Sequence, residues 1–187
     1  MKKVLVVGDS FAANWPGNGW PKMLAASFDV TNLAQAGVGE YKILKQLQSV
    51  DCNAFDTVIV SHTSPSRIHT PSHPLHKTGL HKDCDLIYED LQRPSWFNKS
   101  LSAAKGWFNY HYDDQYQIDM YLLVRKEIKE MIKIPYVSIS HADFGTSLSI
   151  ENNHIDFKDL WKEHRGSVNH YDYTGNSAVY KKLMEVI

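Results

Sequence analysis

Short apolar runs alternating with amphipathic stretches, at close spacing, constrain this 187-residue chain more than any other feature. Lys3-Val4-Leu5-Val6-Val7 is a β-branched, apolar run of the kind that forms a strand buried on both faces of a parallel sheet. Trp20, Leu24 and Phe28 then recur every four residues, with Pro21 suited to a first turn, which predicts a short helix with one apolar face. Asp29 to Leu33 reads as a short strand. Ala34 to Gly39 is a loop of small residues, and Tyr41 to Val50 a helix with Ile43, Leu44 and Leu47 on one side. Thr57-Val58-Ile59-Val60-Ser61 is a second buried strand. The order β-α-β-α-β with short connections implies a parallel, doubly wound α/β sheet with right-handed crossovers.

That rhythm stops at His62. Up to about Asn109 the chain carries four prolines, many aromatic and histidine residues, and little periodicity. A segment this long inside a compact domain is usually functional or carries small elements of its own. It reads as an insertion over the C-terminal edge of the sheet, a lid at about residues 62–112. Beyond it, Asp113 or Asp114 is placed to cap a helix running to about Met131, with Ile118, Leu122, Ile128 and Met131 or Ile132 turned inward. Lys133 to Ser140 follows as a fourth strand. Ser167 to His170 falls at the end of a short fifth strand or in the loop after it. Thr174 or Ser177 caps a last helix with Val179, Leu183, Met184 and Ile187 apolar. No repeat or linker interrupts the chain, so residues 1–187 read as one domain.

The net charge of −1 speaks against a nucleic-acid surface or a polybasic membrane anchor. Only the apolar run Val4 to Val7 separates Lys3 from Gly8 and Asp9, too short for a signal-peptide core, and no run approaches membrane-spanning length. The expected location is the cytoplasm. Cys52 and Cys84 are the only cysteines and are expected as free thiols rather than a disulfide framework.

The first strand runs directly into Gly8-Asp9-Ser10. Glycine permits a sharp turn there, and Asp and Ser stabilise turns and helix starts. Ser10 therefore stands at the C-terminal edge of a strand, where open α/β sheets bind ligands. It is a candidate nucleophile or, more simply, a helix cap. Serine needs a base within hydrogen-bond reach, and histidine, with its near-neutral pKa, suits that task. His170 lies just ahead of the last helix, in Asn169-His170-Tyr171-Asp172-Tyr173-Thr174-Gly175.

Together these segments resemble the SGNH (GDSL-like) hydrolases, a family of esterases and lipases. Gly8-Asp9-Ser10 is similar to the block that carries the family's nucleophilic serine. Asn32-Leu33-Ala34-Gln35-Ala36-Gly37 resembles the second block, whose glycine lends an N–H to the oxyanion hole, and His170 looks like the C-terminal catalytic histidine. The resemblance covers nearly the whole chain apart from His69 to about Asn109. It implies a three-layer α/β/α flavodoxin-like fold with about five parallel strands. It also implies a Ser10–His170 catalytic pair, and oxyanion donors at the Ser10 N–H, the Gly37 N–H and a third group. No metal or organic cofactor is implied.

Two positions depart from the family. Its third block supplies an asparagine to the oxyanion hole, whereas this strand continues Ser61-His62-Thr63-Ser64-Pro65-Ser66-Arg67. Ser64 best matches the missing position, with Thr63 or His62 as alternatives. Three residues before the histidine the family usually has aspartate, and this chain has Ser167. An orienting carboxylate would then come from Asp143 or Asp172, or a backbone carbonyl would hold the ring. Asp9 and Arg67 are further candidates for orienting or substrate contacts, Arg67 as a clamp for a carboxylate or sulfate.

The expected activity is hydrolysis of a short acyl ester, acetyl for preference, on a saccharide or another small molecule. The alternatives are a degenerate SGNH-type binding protein, an O-acyltransferase and a metal-binding module. The last draws on His69, His73, His76, His81, Asp83 and Cys84, which crowd sixteen residues with ligand chemistry suited to zinc. Their spacing fits no standard finger, and Pro71 and Pro74 break any helix that would align them, so no metal site is expected. Trp96, Phe97, Trp107, Phe108, Tyr110 and Tyr112 are expected to form a hydrophobic plug beneath the lid, or a platform for sugar rings. No nucleic-acid or membrane partner is expected, and the sequence leaves the oligomeric state open.

Overall fold

The computed structural model describes residues 1–142, 148–167 and 170–187. Among them five strands pair in parallel, in the order β2-β1-β3-β4-β5: β1 Lys3–Gly8, β2 Asp29–Asn32, β3 Thr57–Ser61, β4 Tyr136–Ser140 and β5 His154–Asp156. This is the flavodoxin-like doubly wound order, whose topological switch point lies between β1 and β3.

Alternation along β1 divides the interior. Val4 and Val6 face one side, with Ile59, Val137 and Ile139; against them pack Trp20 and Leu24 of α1 (Trp20–Leu24) and Val179 and Leu183 of α7 (Tyr173–Met184). Leu5 and Val7 face the other side, with Val58 and Val60. They meet Ile43, Leu44 and Leu47 of α2 (Glu40–Gln48) and Ile128 of α5 (Asp114–Met131). Helices thus cover both faces of the sheet, and each such aliphatic side chain contributes roughly 1.5–3 kcal/mol by leaving water. Trp20 is wholly buried and donates its indole N–H to the Phe11 carbonyl at 2.8 Å.

The expected α5 begins as read, with the Asp113 carboxylate accepting from the Tyr116 N–H at 2.7 Å. Its inward stripe differs. Tyr121, Arg125 and Ile128 are the buried positions, while Ile118 and Leu122 are only partly covered. An arginine does not register as apolar in the sequence, yet here it is sealed against Glu151.

The last strand also differs. β5 is His154–Asp156, and His170 lies in the connection between α6 (Lys158–Glu163) and α7, beside an Arg165–Tyr171 bridge. Residues 62–112 contain α3 (Tyr88–Gln92) and α4 (Lys99–His111) around a small core of Ile68, Leu86, Leu91 and Leu101. Phe108 and Tyr112 pack onto that core. Trp96 and Phe97 do not: they are 89% and 104% exposed, so the aromatic residues form no single plug. No helix among the described residues is long and apolar enough to cross a membrane.

Candidate active site at the C-terminal edge of the sheet

β1 ends under a steric lock. A side chain on Gly8 would place its Cβ 2.5 Å from the Cβ of Ser61 on β3, and the Gln46 amide closes both backbone groups of Gly8, at 2.8 and 3.1 Å. The chain then turns: Asp9 Oδ1 accepts from the Phe11 N–H at 3.0 Å, and the Asp9 carbonyl accepts from the Ala12 N–H at 3.2 Å. This turn sets Ser10 at the edge beside the switch point, 7% exposed.

Ser10 and His170, far apart in sequence, line one cavity of about 380 Å³. Trp15, Asn18, His81, Asp172, Tyr173 and Asn176 also border it. The Trp15 indole N–H donates to the Ser10 carbonyl at 2.6 Å, fixing the indole over the serine backbone. Its ring centroid lies 5.0 Å from that of His170 and 5.4 Å from that of His81. On its other side His170 meets the Phe11 ring at 5.1 Å. Phe11 in turn stacks at 4.6 Å on His141, which stacks at 5.6 Å on Phe157. The wall beneath the site is therefore a column of rings rather than a network of charges.

His141 follows β4 directly and is fully buried, its Nδ1 2.8 Å from the Tyr171 hydroxyl. Burial, with His154 and His170 nearby, drives its pKa down to about 3, so it is neutral at neutral pH. Burial pushes the Asp9 carboxyl up to about 6, despite the opposing effects of Arg67, the Phe11 N–H and Thr63.

The other residues singled out in the sequence take different places. Asp9 lies beneath the turn, fully out of solvent, and is not part of the cavity lining. Asp172 borders the cavity, but its Oδ1 caps α7 by accepting from the Gly175 N–H at 2.7 Å. Asp143 lies outside the described residues. Ser64 does not line the cavity that Ser10 borders. Its hydroxyl sits 2.7 Å from that of Ser66, and it lines a second cavity of about 590 Å³. His62, just before it, is buried with its Nδ1 2.5 Å from Glu40 Oε1. Arg67 donates to Thr63 Oγ1 and to the Gly37 carbonyl, both at 3.0 Å, and borders the same second cavity, with Ile68, Trp107, Met120 and Tyr121.

Gly37, with φ +78°, lies directly under the 62–112 segment. A side chain there would put its Cβ 2.8 Å from Cys84 Cβ and 3.5 Å from His81 Cδ2. Residues 81–85 are tied down over it. The Asp85 N–H donates to the Gly37 carbonyl at 2.9 Å, Asp85 Oδ2 accepts from the Gly39 N–H at 2.6 Å, and Lys42 pairs with Asp85 at 2.8 Å.

His73, His76 and Cys84 bring donor atoms within 4.8 Å of one another. Both ring nitrogens of His73 are already engaged. Nδ1 accepts from the Leu75 and His76 N–H groups at 3.1 Å each, and Nε2 lies 3.2 Å from Asp90. Burial pushes the Cys84 thiol up to about 11, keeping it protonated. Of the three, Cys84 is the one that packs against Gly37. His81 had no signal of its own in the sequence beyond its neighbours along the chain, and only the fold carries it to Ser10.

No family model matches this chain, and no curated protein matches it. Among solved structures it is similar to an extracellular lipase from Streptomyces rimosus, with a TM-score of 0.38 and 11% identity over 76% of this chain. The chain spans 60% of the length of that lipase.

Proposed function

We propose that the protein is a serine ester hydrolase of the SGNH type, acting on short acyl esters. The observation that carries this reading is the convergence of Ser10 and His170 on one cavity at the C-terminal edge of β1. In the proposed reaction Ser10 Oγ attacks the ester carbonyl carbon and its proton passes to His170. The carbonyl π pair moves onto oxygen, where the Ser10 and Gly37 N–H groups are the proposed donors. Collapse expels the alcohol, protonated by His170, and water then releases the acid by the same route. Ser64, which faces the second cavity, has no part in it.

The cavity supports a compact, hydroxylated substrate. Trp15 and Tyr173 offer aromatic faces suited to a sugar ring, while Asn18, Asn176 and Asp172 offer amide and carboxylate partners for hydroxyls. An acetylated saccharide fits that lining better than a long-chain lipid. A binding protein without hydrolysis is the second reading, favoured by the close cover of Cys84 on Gly37.

Hydrolysis of p-nitrophenyl acetate separates the two. The expected result is turnover by the wild type, loss of at least about 10³-fold in kcat for Ser10→Ala and of roughly 10²–10⁴-fold for His170→Ala. A fluorophosphonate probe should add once, at Ser10. No turnover and no labelling would leave the binding reading; activity that survives Ser10→Ala would overturn the mechanism.

A further inference from the structure

No residue from Ser61 to Arg67 lines the cavity: His62 is held by Glu40, the Thr63 hydroxyl accepts from Arg67, and Ser64 and Arg67 border the other cavity. A tetrahedral oxyanion stabilised by backbone N–H groups alone forgoes one donor, and one such donor is worth about 10²–10³ in rate. The 62–112 segment brings a different side chain to this place.

His81 borders the cavity that Ser10 and His170 share, and the edge of its ring lies over Gly37. Its orientation is held from two sides, by the Trp15 ring at 5.4 Å and by the His76 ring at 5.6 Å. The backbone beneath it is pinned: the Lys82 and Asp83 carbonyls accept from the Gln35 amide and the Lys42 ammonium, and the Asp85 N–H donates to the Gly37 carbonyl. A donor held this rigidly needs no reorganisation when charge develops. Burial is the main reason its pKa falls below the ordinary histidine value, with His76 and Arg67 adding to the effect and Asp90 opposing it. The ring is therefore neutral at neutral pH and keeps one N–H to donate.

Resting on the esterase reading above, we infer that His81 is a catalytic residue that donates its ring N–H to the oxyanion formed when Ser10 attacks the ester. It keeps its own proton throughout. The proton that moves is that of Ser10, carried by His170 to the leaving alcohol. The segment over the sheet edge thereby supplies the side-chain donor that the end of β3 lacks.

The test compares His81→Ala, His81→Asn and His81→Gln with the wild type on p-nitrophenyl acetate, alongside Ser10→Ala and thermal melting of each variant. His81→Ala should lower kcat by about 10²–10³-fold with KM within a few-fold of the wild type. An amide at position 81 should restore at least tenfold of that loss in one of the two amide variants. Wild-type kcat in a folded His81→Ala overturns the inference while leaving Ser10 and His170 intact as the pair. A rise in KM with kcat unchanged also overturns it, since it marks ordinary substrate binding. If His81→Ala fails to fold, the amide variants decide: both at the Ser10→Ala level overturn the inference, and recovery in either supports it. A wild type that neither turns over nor labels at Ser10 overturns both readings together.

Discussion

Arg125 and Glu151 form an ion pair that neither shares with water, the guanidinium donating to Glu151 Oε2. Burial alone would push the Glu151 carboxyl up, but His62 and Arg125 outweigh it and hold the group below its ordinary value. Arg125 also donates to the Tyr121 hydroxyl at 3.2 Å within α5, and its pairing with Glu151 joins α5 to the chain entering β5. Arg125→Met strands a buried carboxylate and should cost about 3–5 kcal/mol. Arg125→Met with Glu151→Met should recover much of that loss. Urea unfolding of the two single variants and the double variant measures the coupling. Simple additivity would show that the pair does not act as a unit.

Gly37 and Cys84 approach so closely that the test is geometric. Gly37→Ala places a Cβ 2.8 Å from Cys84 Cβ at a φ of +78°. The left-handed backbone alone costs roughly 1–2 kcal/mol, and the clash adds to it by lifting residues 81–85. Stability and p-nitrophenyl acetate turnover should both fall. Because the contact is between Cβ atoms, adding Cys84→Ala should restore neither, whereas Cys84→Gly should relieve the clash and leave only the φ cost. Melting temperatures of the three variants check this; equal rescue by Ala and Gly would place the strain elsewhere.

The sheet was legible because its code is local. Val4 to Val7 and Val58 to Val60 are apolar on both faces, and short connections permit little besides a parallel order. The α5 start at Asp113 was legible for the same reason, since a cap acts within three residues. The α5 inward face was not, because Arg125 counts as polar until Glu151 is folded against it. β5 has three residues, two of them His154 and Asp156, too short and too polar to register. α4 buries only Leu101 fully, so its periodicity was faint. Ser10 and His170 stand out in the sequence because each lies in a short motif beside a regular element, and the fold brings both to one cavity. In the sequence His81 stands among metal-competent neighbours, whereas Gly37, Trp15 and the Ser10 cavity are its neighbours in space.

His141 predicts acid lability. Its folded pKa is about 3 against an ordinary 6.5, so below pH 6.5 the unfolded chain takes up a proton that the folded one refuses. The facing groups, His154 and His170, only disfavour that proton further. Stability from this residue is complete above pH 6.5 and declines as pH falls towards 3, by roughly 3 kcal/mol at pH 4.5. His154, half-buried and lowered to about 4, adds to the decline between 6.5 and 4. His141→Phe keeps a flat ring between Phe11 and Phe157 and should reduce the pH dependence by about one proton. Urea midpoints from pH 7.5 to 4.5 measure it, and an unchanged slope would assign the lability to other groups.

Asp9 works in the opposite direction. Its folded pKa of about 6 lies above the ordinary 3.8, so the folded state prefers the proton. Ionising this buried carboxyl costs stability, and the cost appears as pH rises from about 4 through 6, reaching roughly 3 kcal/mol at pH 8. Asp9→Asn retains an oxygen to accept from the Phe11 N–H and removes the charge. The variant should therefore be more stable than the wild type at pH 8, with the difference shrinking towards zero at pH 4. Paired urea titrations at the two pH values check the sign. A variant weakened equally at both would mean that the carboxylate, through Arg67 and Thr63, holds the turn that presents Ser10.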